Sequence, residues 1–322
     1  MKILITGGAG FIGSHLADRL IENSHTVTIL DDFSTGSLSN IFTFSASTDL
    51  QIVNGSILDI DLVTNLVAAS DYVFHLAAAV GVFNIVNRPL ESLVTNIRGT
   101  ENVLEAALQN MIPVFLTSSS EVYGKNSADS LNEWDDRIIG SPTTLRWSYS
   151  EAKAIDESLA FAYFSEKKLP TRTVRLFNTV GPRQVGDYGM VIPRFVRSAL
   201  QDKPITIYGS GLQTRCFAHI DDVIDAVLLV AFSDKTLGRV VNIGNNYEIS
   251  MNDLAEKIIL QTKSKSTIHH ISYEEAYGEG FEDMTRRVPN LSLIKELTGW
   301  SPKRDLSMII EDVSTSISNS SN

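Results

Sequence analysis

The chain has 322 residues, of which 43% are hydrophobic and 20% charged, so it can form one large domain or two closely packed ones. Its formal net charge of −11 argues against a general nucleic-acid-binding surface, which needs a basic face. The single cysteine, Cys216, excludes an internal disulfide framework and a metal site built from several thiolates.

The N-terminal stretch MKILITGGAGFIG has an apolar run too short for the core of a signal peptide. No run in the chain approaches the roughly 18 apolar residues of a membrane-spanning helix. The sequence therefore predicts a cytoplasmic protein that does not cross a membrane.

The first half of the sequence alternates short β-branched runs with helical patterns. The runs predicted as buried strands are residues 2–6, 26–32, 50–55, 72–77 and 114–119. The helical patterns between them include residues 14–23 and 93–110. This alternation predicts right-handed βαβ units and an α/β fold of the Rossmann type, in which a doubly wound parallel sheet carries helices on both faces.

From about residue 183 the pattern becomes mixed. The predicted elements are helices at 191–203 and 250–262 and strands at 205–209 and 240–244. The last ten residues have the composition of a frayed tail.

We expect a smaller C-terminal α/β domain that binds the substrate and packs closely on the first. The domain limits that we predict are 1–182 with about 212–245 for the first domain, and 183–211 with 246–322 for the second.

The segment GGAGFIG places Gly7, Gly10 and Gly13 directly after the first predicted strand and before a helix. Glycine permits the tight turn and lets the backbone approach a pyrophosphate, and the helix N-terminus favours the anion. Asp31, at the end of the second strand, lies eighteen positions after Gly13 and suits the two hydroxyls of a ribose. Because a carboxylate there would repel a 2′-phosphate, the sequence predicts NAD rather than NADP.

Tyr149 and Lys153 lie four residues apart in RWSYSEAKA, so both side chains project from one face of a predicted helix. The unperturbed pKa of tyrosine is about 10, and a neighbouring lysine and a cationic nicotinamide would lower it. A phenolate at Tyr149 can take the proton of a substrate hydroxyl while NAD⁺ accepts hydride from the same carbon. The two residues are therefore the predicted catalytic pair.

Five motifs, GGAGFIG, FHLAA, SSSEVYG, YSEAK and RLFNTVGPR, occur in an order that resembles the extended short-chain dehydrogenase/reductases. Within that group the chain is similar over nearly its whole length to the nucleotide-sugar epimerases, dehydratases and decarboxylases. The resemblance implies a UDP-sugar substrate, NAD as cofactor and oxidation of the sugar at C4 to a ketone. It also implies a homodimer, since such enzymes commonly pair through two helices of each subunit.

The same resemblance assigns residues to the site. The implied cofactor-binding residues are Gly7, Gly10, Phe11, Ile12, Gly13, Asp31, Ser56, Ala77, Tyr149 and Lys153. The implied catalytic residues are Tyr149, Lys153, Ser119, Glu121 and Arg287. The implied substrate-binding residues are Asn178, Arg194, Tyr208, Arg215 and Arg287, with Arg215 at the pyrophosphate. No metal is expected, because no group of His, Asp and Glu has the spacing of metal ligands.

Glu121, directly before VYG, separates the possible reactions. Members that only epimerise usually carry a small or neutral residue there, whereas sugar-acid decarboxylases and 4,6-dehydratases carry Glu. Arg287 in RRVPN resembles an arginine of the uronic-acid decarboxylases, and Arg146 with Trp147 resembles the RW-x-Y version of this motif in decarboxylase-like domains. A carboxylate β to a C4 ketone loses CO₂ readily, so the leading prediction is a UDP-glucuronate decarboxylase.

Three alternatives stay open: a UDP-sugar 4-epimerase, an NDP-hexose 4,6-dehydratase with Glu121 as the base at C5, and an NAD-sensing regulator that does not catalyse. The chain also departs from the decarboxylases at three places. Ser119 stands where they mostly have Thr, Ser56 stands where an acidic residue usually follows the glycine of the third strand, and the segment GDYGMVIPRF differs from theirs.

Overall fold

The structure is a computed structural model, and it describes residues 1–44, 47–81, 87–184, 190–277, 284 and 286–320. Residues 186–189 of the GDYGMVIPRF segment lie outside the described residues. Within the described ranges, no helix combines the length and the apolar character that a membrane crossing requires.

The strands are named here in chain order. They are β1 (Lys2–Thr6), β2 (Thr26–Asp31), β3 (Leu50–Asn54), β4 (Tyr72–His75), β5 (Val114–Ser119), β6 (Thr171–Leu176), β7 (Thr179–Val180), β8 (Ile205–Tyr208), β9 (Thr214–Cys216), β10 (Ala218–His219), β11 (Val240–Ile243), β12 (Glu248–Ser250) and β13 (Ile268–Ile271).

The helices follow the same convention. They are α1 (Phe11–Glu22), α2 (Ile60–Ala68), α3 (Pro89–Asn110), α4 (Ser148–Lys167), α5 (Val191–Leu200), α6 (Ile220–Ala231), α7 (Met251–Thr262), α8 (Tyr273–Tyr277), α9 (Ser292–Thr298) and α10 (Leu306–Ser320). Two short 3₁₀ helices, Ser120–Tyr123 and Leu145–Trp147, directly follow β5 and directly precede α4.

Seven of the strands form one sheet in the order β11-β6-β5-β4-β1-β2-β3, and every neighbouring pair is parallel. The chain builds outward from β1 to β3 on one side and then crosses to β4 on the other. The strand order therefore reverses between β1 and β4, which is where ligands bind in sheets of this kind, at the carboxyl ends of the strands. The predicted doubly wound parallel sheet is confirmed.

Helices cover both faces of this sheet, and β1 shows why. Its successive side chains point to opposite faces, so Ile3 and Ile5 pack with α1 and α6, whereas Leu4 packs with α2 and α3. Because both faces are covered, the strands are apolar almost throughout.

A second core lies among α5, α7 and α10, around Ile205 and Ile207 of β8. Short strand pairs accompany it, with β13 parallel to β8 and β12 antiparallel to β9. The domain limits expected from the sequence stay a prediction.

The prediction of a frayed tail was wrong for residues 313–320, because α10 continues to Ser320, and residues 321–322 lie outside the described residues. Ile309, Ile310 and Val313 occupy one side of this helix and are buried in the second core, and Ile317 packs against the same core. Apolar packing at helical spacing thus outweighs the weak helix propensity of the serines and asparagines.

Candidate active site

A cavity of about 590 Å³ opens at the carboxyl ends of the central strands and extends to the second core. Among the described residues that were predicted for the site, Ser56 alone does not line this cavity, although its neighbours Gly55 and Ile57 do. The Ser56 hydroxyl instead accepts a hydrogen bond from the Leu58 N–H at 3.2 Å, in the turn before α2.

The glycine turn leaves no room for side chains. Gly7 has a φ of +72°, and a Cβ there would lie 2.7 Å from the backbone nitrogen of Ala77. A Cβ on Gly13 would clash with the carbonyl oxygen of Gly7. Helix α1 begins at Phe11 with Gly10 as its N-cap, so its first N–H groups face the cavity without a capping side chain. This end of the cavity suits a pyrophosphate.

Asp31 lies where β2 ends and lines the cavity beside the glycine turn. Its two carboxylate oxygens accept hydrogen bonds from the N–H groups of Ala9 at 2.8 Å and Phe33 at 2.9 Å. Burial raises the pKa of Asp31, and the two N–H donors oppose that shift. Each oxygen keeps a lone pair for a ribose hydroxyl, so the residues at this end fit NAD.

Tyr149 and Ser119 meet at the middle of the cavity. Ser119 is the last residue of β5, its hydroxyl accepts a hydrogen bond from the Glu121 N–H at 3.2 Å, and it lines the cavity together with Tyr149. Burial raises the pKa of Tyr149 above its usual range, and Glu121 and Asp156 raise it further, while the nearby Ser119 hydroxyl acts in the opposite direction.

Lys153 lines the same cavity, but its ammonium is paired with a carboxylate. The distance from Lys153 Nζ to Asp156 Oδ2 is 3.2 Å, and both side chains are buried. The sequence-based expectation that the pKa of Tyr149 is lowered is therefore wrong for the protein by itself. The physical reason is that burial disfavours the phenolate, and the negative charges of Glu121 and Asp156 disfavour it further.

Glu121 is held between two arginines. Arg287 Nη1 lies 2.6 Å from Glu121 Oε1, and Arg146 Nη2 lies 3.3 Å from Glu121 Oε2. Burial by itself would raise the pKa of Glu121, but Arg287, Arg146 and the nearby Arg215 lower it to about 2. Glu121 is therefore an ionised carboxylate throughout the pH range in which enzymes work.

Neighbouring groups fix these arginines in place. Arg287 Nη2 donates to Asn178 Oδ1 at 3.0 Å, and Asn178 Nδ2 in turn donates to the Cys216 carbonyl at 2.8 Å. The Arg146 guanidinium lies over the ring of Trp147, 5.4 Å from its centroid. Asn178 thus orients Arg287, and its predicted contact with the substrate stays a prediction.

The remaining predicted substrate residues lie toward the second core. Arg194 of α5 stacks over the ring of Tyr208 at 4.2 Å, and Arg215 of β9 donates to the Thr214 carbonyl at 2.8 Å. Arg183 also lines the cavity, and its guanidinium lies 2.6 Å from the Asp18 carboxylate in an ion pair. Arg197 is exposed on α5 and does not line the cavity.

The buried histidines have protein partners. His75 lies between the hydroxyls of Thr6 and Thr100, and burial together with Lys153 lowers its pKa to about 3. His219 caps α6 by accepting from the Asp221 N–H. Among the described residues, no group of three or more His, Cys, Asp and Glu is arranged to hold a metal ion.

Two residues with contacts at the site were missing from the predicted set. Arg146 precedes Tyr149 by three residues, and its place in the RW-x-Y motif was the available signal. Asp156 follows Lys153 by three residues, and a carboxylate on the buried side of the predicted helix was the available signal.

Comparisons with known proteins point to one family. Residues 3–244 match the NAD dependent epimerase/dehydratase family. The UDP-N-acetyl-alpha-D-glucosaminuronate decarboxylase of Bacillus cytotoxicus is 41% identical over 94% of this chain and 92% of that protein. The UDP-glucuronic acid decarboxylase 1 of Danio rerio is 35% identical over 94% of this chain and 69% of that protein.

A solved structure supports the same grouping. The crystal structure of UDP-glucuronic acid 4-epimerase from Bacillus cereus, in complex with UDP-glucuronic acid and NAD, matches with a TM-score of 0.88 and 30% identity. The match covers 99% of each chain. The predicted superfamily and its NAD dependence are confirmed.

Proposed function

Because the chain belongs to the NAD dependent epimerase/dehydratase family, we propose that it decarboxylates a UDP-hexuronic acid through a 4-keto intermediate. The observation that carries this proposal is the group of three arginines, Arg146, Arg215 and Arg287, around the single carboxylate of Glu121. These four groups have a net positive charge inside a cavity of an acidic protein. Such a site suits a second carboxylate, which a uronic acid supplies.

The glycine turn and the start of α1 would hold the NAD pyrophosphate, Asp31 the adenine-side ribose, and Lys153 the nicotinamide ribose. NAD⁺ supplies, when bound, the acceptor for the hydride that leaves C4. Tyr149 in its phenolate form takes the proton of the C4 hydroxyl, and Ser119, which lines the same part of the cavity, orients that oxygen.

Arg287 orients the sugar carboxylate for the next step. The C5–C6 bond breaks, CO₂ leaves, and the electron pair delocalises into the C4 carbonyl. The hydroxyls of Tyr149 and Ser119 donate hydrogen bonds to the enolate oxygen that forms. This step needs no base, which agrees with the very low basicity of Glu121. A 4,6-dehydratase would need a base at C5, and a carboxylate held between two arginines is poorly suited to that role.

Two uronic acids are candidates for the substrate. The Bacillus cytotoxicus relative is named for UDP-N-acetylglucosaminuronate and the Danio rerio relative for UDP-glucuronate. We propose the first as the better substrate because that relative is the more similar and is matched over nearly its whole length. The runner-up reaction is 4-epimerisation of a UDP-uronic acid, favoured by the similarity to the Bacillus cereus epimerase.

The test is to incubate the purified protein with NAD⁺ and each UDP-uronic acid labelled with ¹³C at C6. Release of ¹³CO₂ with formation of a UDP-pentose supports decarboxylation. Conversion to the C4 epimer with the label retained would replace this proposal with the epimerase. Inertness toward both uronates, with loss of water from an NDP-hexose, would indicate the dehydratase.

A pair of arginine variants isolates the proposed carboxylate site. Arg287→Ala should raise the KM for the uronate by about 10- to 100-fold, since it removes a charge-assisted contact. Arg197→Ala removes an exposed arginine from α5 and should leave the KM unchanged. Equal KM values in the two variants would contradict the role of Arg287.

Assembly as a homodimer through α3 and α4 is also proposed. Leu90 of α3 and Ile155 and Phe161 of α4 are exposed apolar side chains that such a contact would cover. Ala152 of α4 is buried within the chain and cannot take part in this contact. Phe161→Glu should convert a dimer to a monomer in light-scattering measurements, and an unchanged mass would exclude this surface.

The cytoplasmic location stays a prediction.

A further inference from the structure

Asp156 is a completely buried carboxylate that the proposed chemistry does not use. Its side chain has 0% exposure, and its partner is the ammonium of Lys153, 3.2 Å away. Burying an ionised group away from water lowers the stability of the fold unless a partner compensates its charge.

Helix geometry explains how the carboxylate reaches the lysine. Tyr149, Lys153 and Asp156 are spaced four and three residues apart on α4, so they follow one face of the helix. Tyr149 and Lys153 line the cavity, whereas Asp156 does not. The Lys153 ammonium has three N–H donors. One of them donates to Asp156 on the side away from the cavity, which leaves two for ligands in the cavity.

The groups that face Asp156 from other elements do not replace Lys153. Thr100 of α3 is an uncharged hydroxyl, and His75 of β4, which is hydrogen-bonded to Thr100, is neutral because its pKa is lowered to about 3. The neighbouring Glu157 is bound to Arg175 at 2.8 Å and accepts from the Ser118 hydroxyl. Lys153 is therefore the cation that compensates Asp156.

The charged groups that act on Tyr149 come from two directions. Glu121 lies on the 3₁₀ helix after β5, and its charge is shared with Arg287 and Arg146. Asp156 lies on the same helix as Tyr149, and burial together with these two carboxylates raises the pKa of the phenol. Of the two carboxylates, Asp156 is the one that also contacts the catalytic lysine.

We propose that Asp156 is a positioning residue that holds the Lys153 ammonium from behind the cavity and offsets part of its charge at the Tyr149 hydroxyl. This inference rests on the proposed function, because the role of the Tyr149 proton follows from oxidation of a sugar at C4. Tyr149, as a phenolate, must accept a proton when the sugar is oxidised and return it when the 4-keto group is reduced. A phenolate with a higher proton affinity is the stronger base in the first of these steps, and the phenol that results stays protonated while CO₂ leaves.

The test follows the ionisation of Tyr149 directly. Protein labelled with ¹³C at the ζ carbon of tyrosine is titrated by NMR from pH 5 to 10 with saturating NAD⁺ and no sugar, and Tyr149→Phe identifies the resonance. Asp156→Asn should lower the midpoint of this titration by about half a pH unit or more, because a like charge near the phenolate is removed. Asp156→Glu keeps the charge and should restore a midpoint close to that of the wild type.

Glu166→Gln, which neutralises an exposed carboxylate on the same helix, is the matched control and should not shift the midpoint. A D156N midpoint equal to or above that of the wild type, in protein shown by thermal unfolding to be folded, would overturn the proposal. If D156N does not fold, the titration midpoint of the smaller neutral variant D156S is measured instead, and the same outcomes support or overturn the proposal. If the wild-type phenol does not ionise by pH 10, ionisation in D156N alone supports the proposal. If neither phenol ionises by pH 10, the titration is extended to pH 12, and equal behaviour of the two proteins there overturns the proposal. Because no sugar is used, failure to decarboxylate would not affect this outcome.

Discussion

The two ends of the cavity are built by different means. At the cofactor end, the cavity wall is formed mainly by the backbone of a single turn. Gly7 and Gly13 of this turn are packed too closely against neighbouring backbone to carry a side chain. At the substrate end, the important atoms belong to the long side chains of Glu121, Arg146 and Arg287, which come from three separate segments of the chain. Substitutions should therefore act through steric clashes at the first end and through charge at the second.

Tyr149→Phe lies where the two ends meet and should have the largest effect. Loss of the proton acceptor should lower kcat by about 1,000-fold or more. Because the hydroxyl is not among the groups proposed to hold the pyrophosphate or the adenine-side ribose, the Kd for NAD⁺ should change little. Steady-state kinetics and calorimetric titration with NAD⁺ measure the two effects. Substantial residual turnover would exclude Tyr149 as the catalytic base.

Gly13→Ala should weaken NAD⁺ binding at the cofactor end of the cavity. Its Cβ would clash with the Gly7 carbonyl, so the turn must open, and we expect NAD⁺ affinity to fall by about 100-fold, from the 1 to 3 kcal/mol typical of overpacking. Gly10→Ala is the matched control, because its Cβ would lie 3.2 Å from the same oxygen and needs only a small adjustment. Equal losses in the two variants would show that steric fit at Gly13 is not decisive.

Glu121→Gln tests the contribution of charge at the substrate end of the cavity. It should lower the free energy of unfolding at pH 7 by about 3 kcal/mol, since it leaves two buried arginines without their counter-charge. The pKa of Glu121 falls from 4.5 to about 2 on folding, so its stabilising contribution is complete above pH 4.5 and is lost as the pH falls toward 2.

Urea denaturation of the wild type and Glu121→Gln at a series of pH values from 7 to 3 measures this difference. The gap between the two proteins should narrow as the pH falls below 4.5. A gap that stays constant would show that the Glu121 carboxylate is not the source of the stabilisation.

Gly299→Ala should have the smallest effect. Gly299 ends α9 with a φ of +75°, but a Cβ there would have nothing within 4 Å. The cost should be limited to about 1 kcal/mol of backbone strain, seen as a small fall in Tm. NAD⁺ affinity should not change, which separates the cost of a positive φ from the steric cost at Gly13.

The contrast between the two ends also explains what the sequence could predict. The glycine turn and the pair Tyr149 and Lys153 are each set by short-range spacing on one element, so their placement in the cavity could be read directly. The same is true of Asp31, which follows from the end of a strand. The roles of these residues remain proposals for the kinetic tests.

Contacts between distant segments could not be read in this way. Glu121 and Arg287 are 166 positions apart, and their ion pair forms because the fold brings Arg287 to the end of β5. The pKa of Tyr149 likewise depends on burial and on two carboxylates, which no motif records. The end of α10 was misread for the same reason, since its apolar stripe is stabilised only by packing on the second core.

The stacking of Arg146 on Trp147 gives the protein a built-in optical reporter. The other two tryptophans lie in different surroundings, with Trp134 largely exposed and Trp300 buried, its indole N–H donating to the Asp222 carbonyl. Trp147 is the buried indole with a guanidinium of the arginine cluster over its ring. A ligand that draws Arg146 toward its own carboxylate would change the local field at that indole, so fluorescence emission could register uronate binding without any label or turnover.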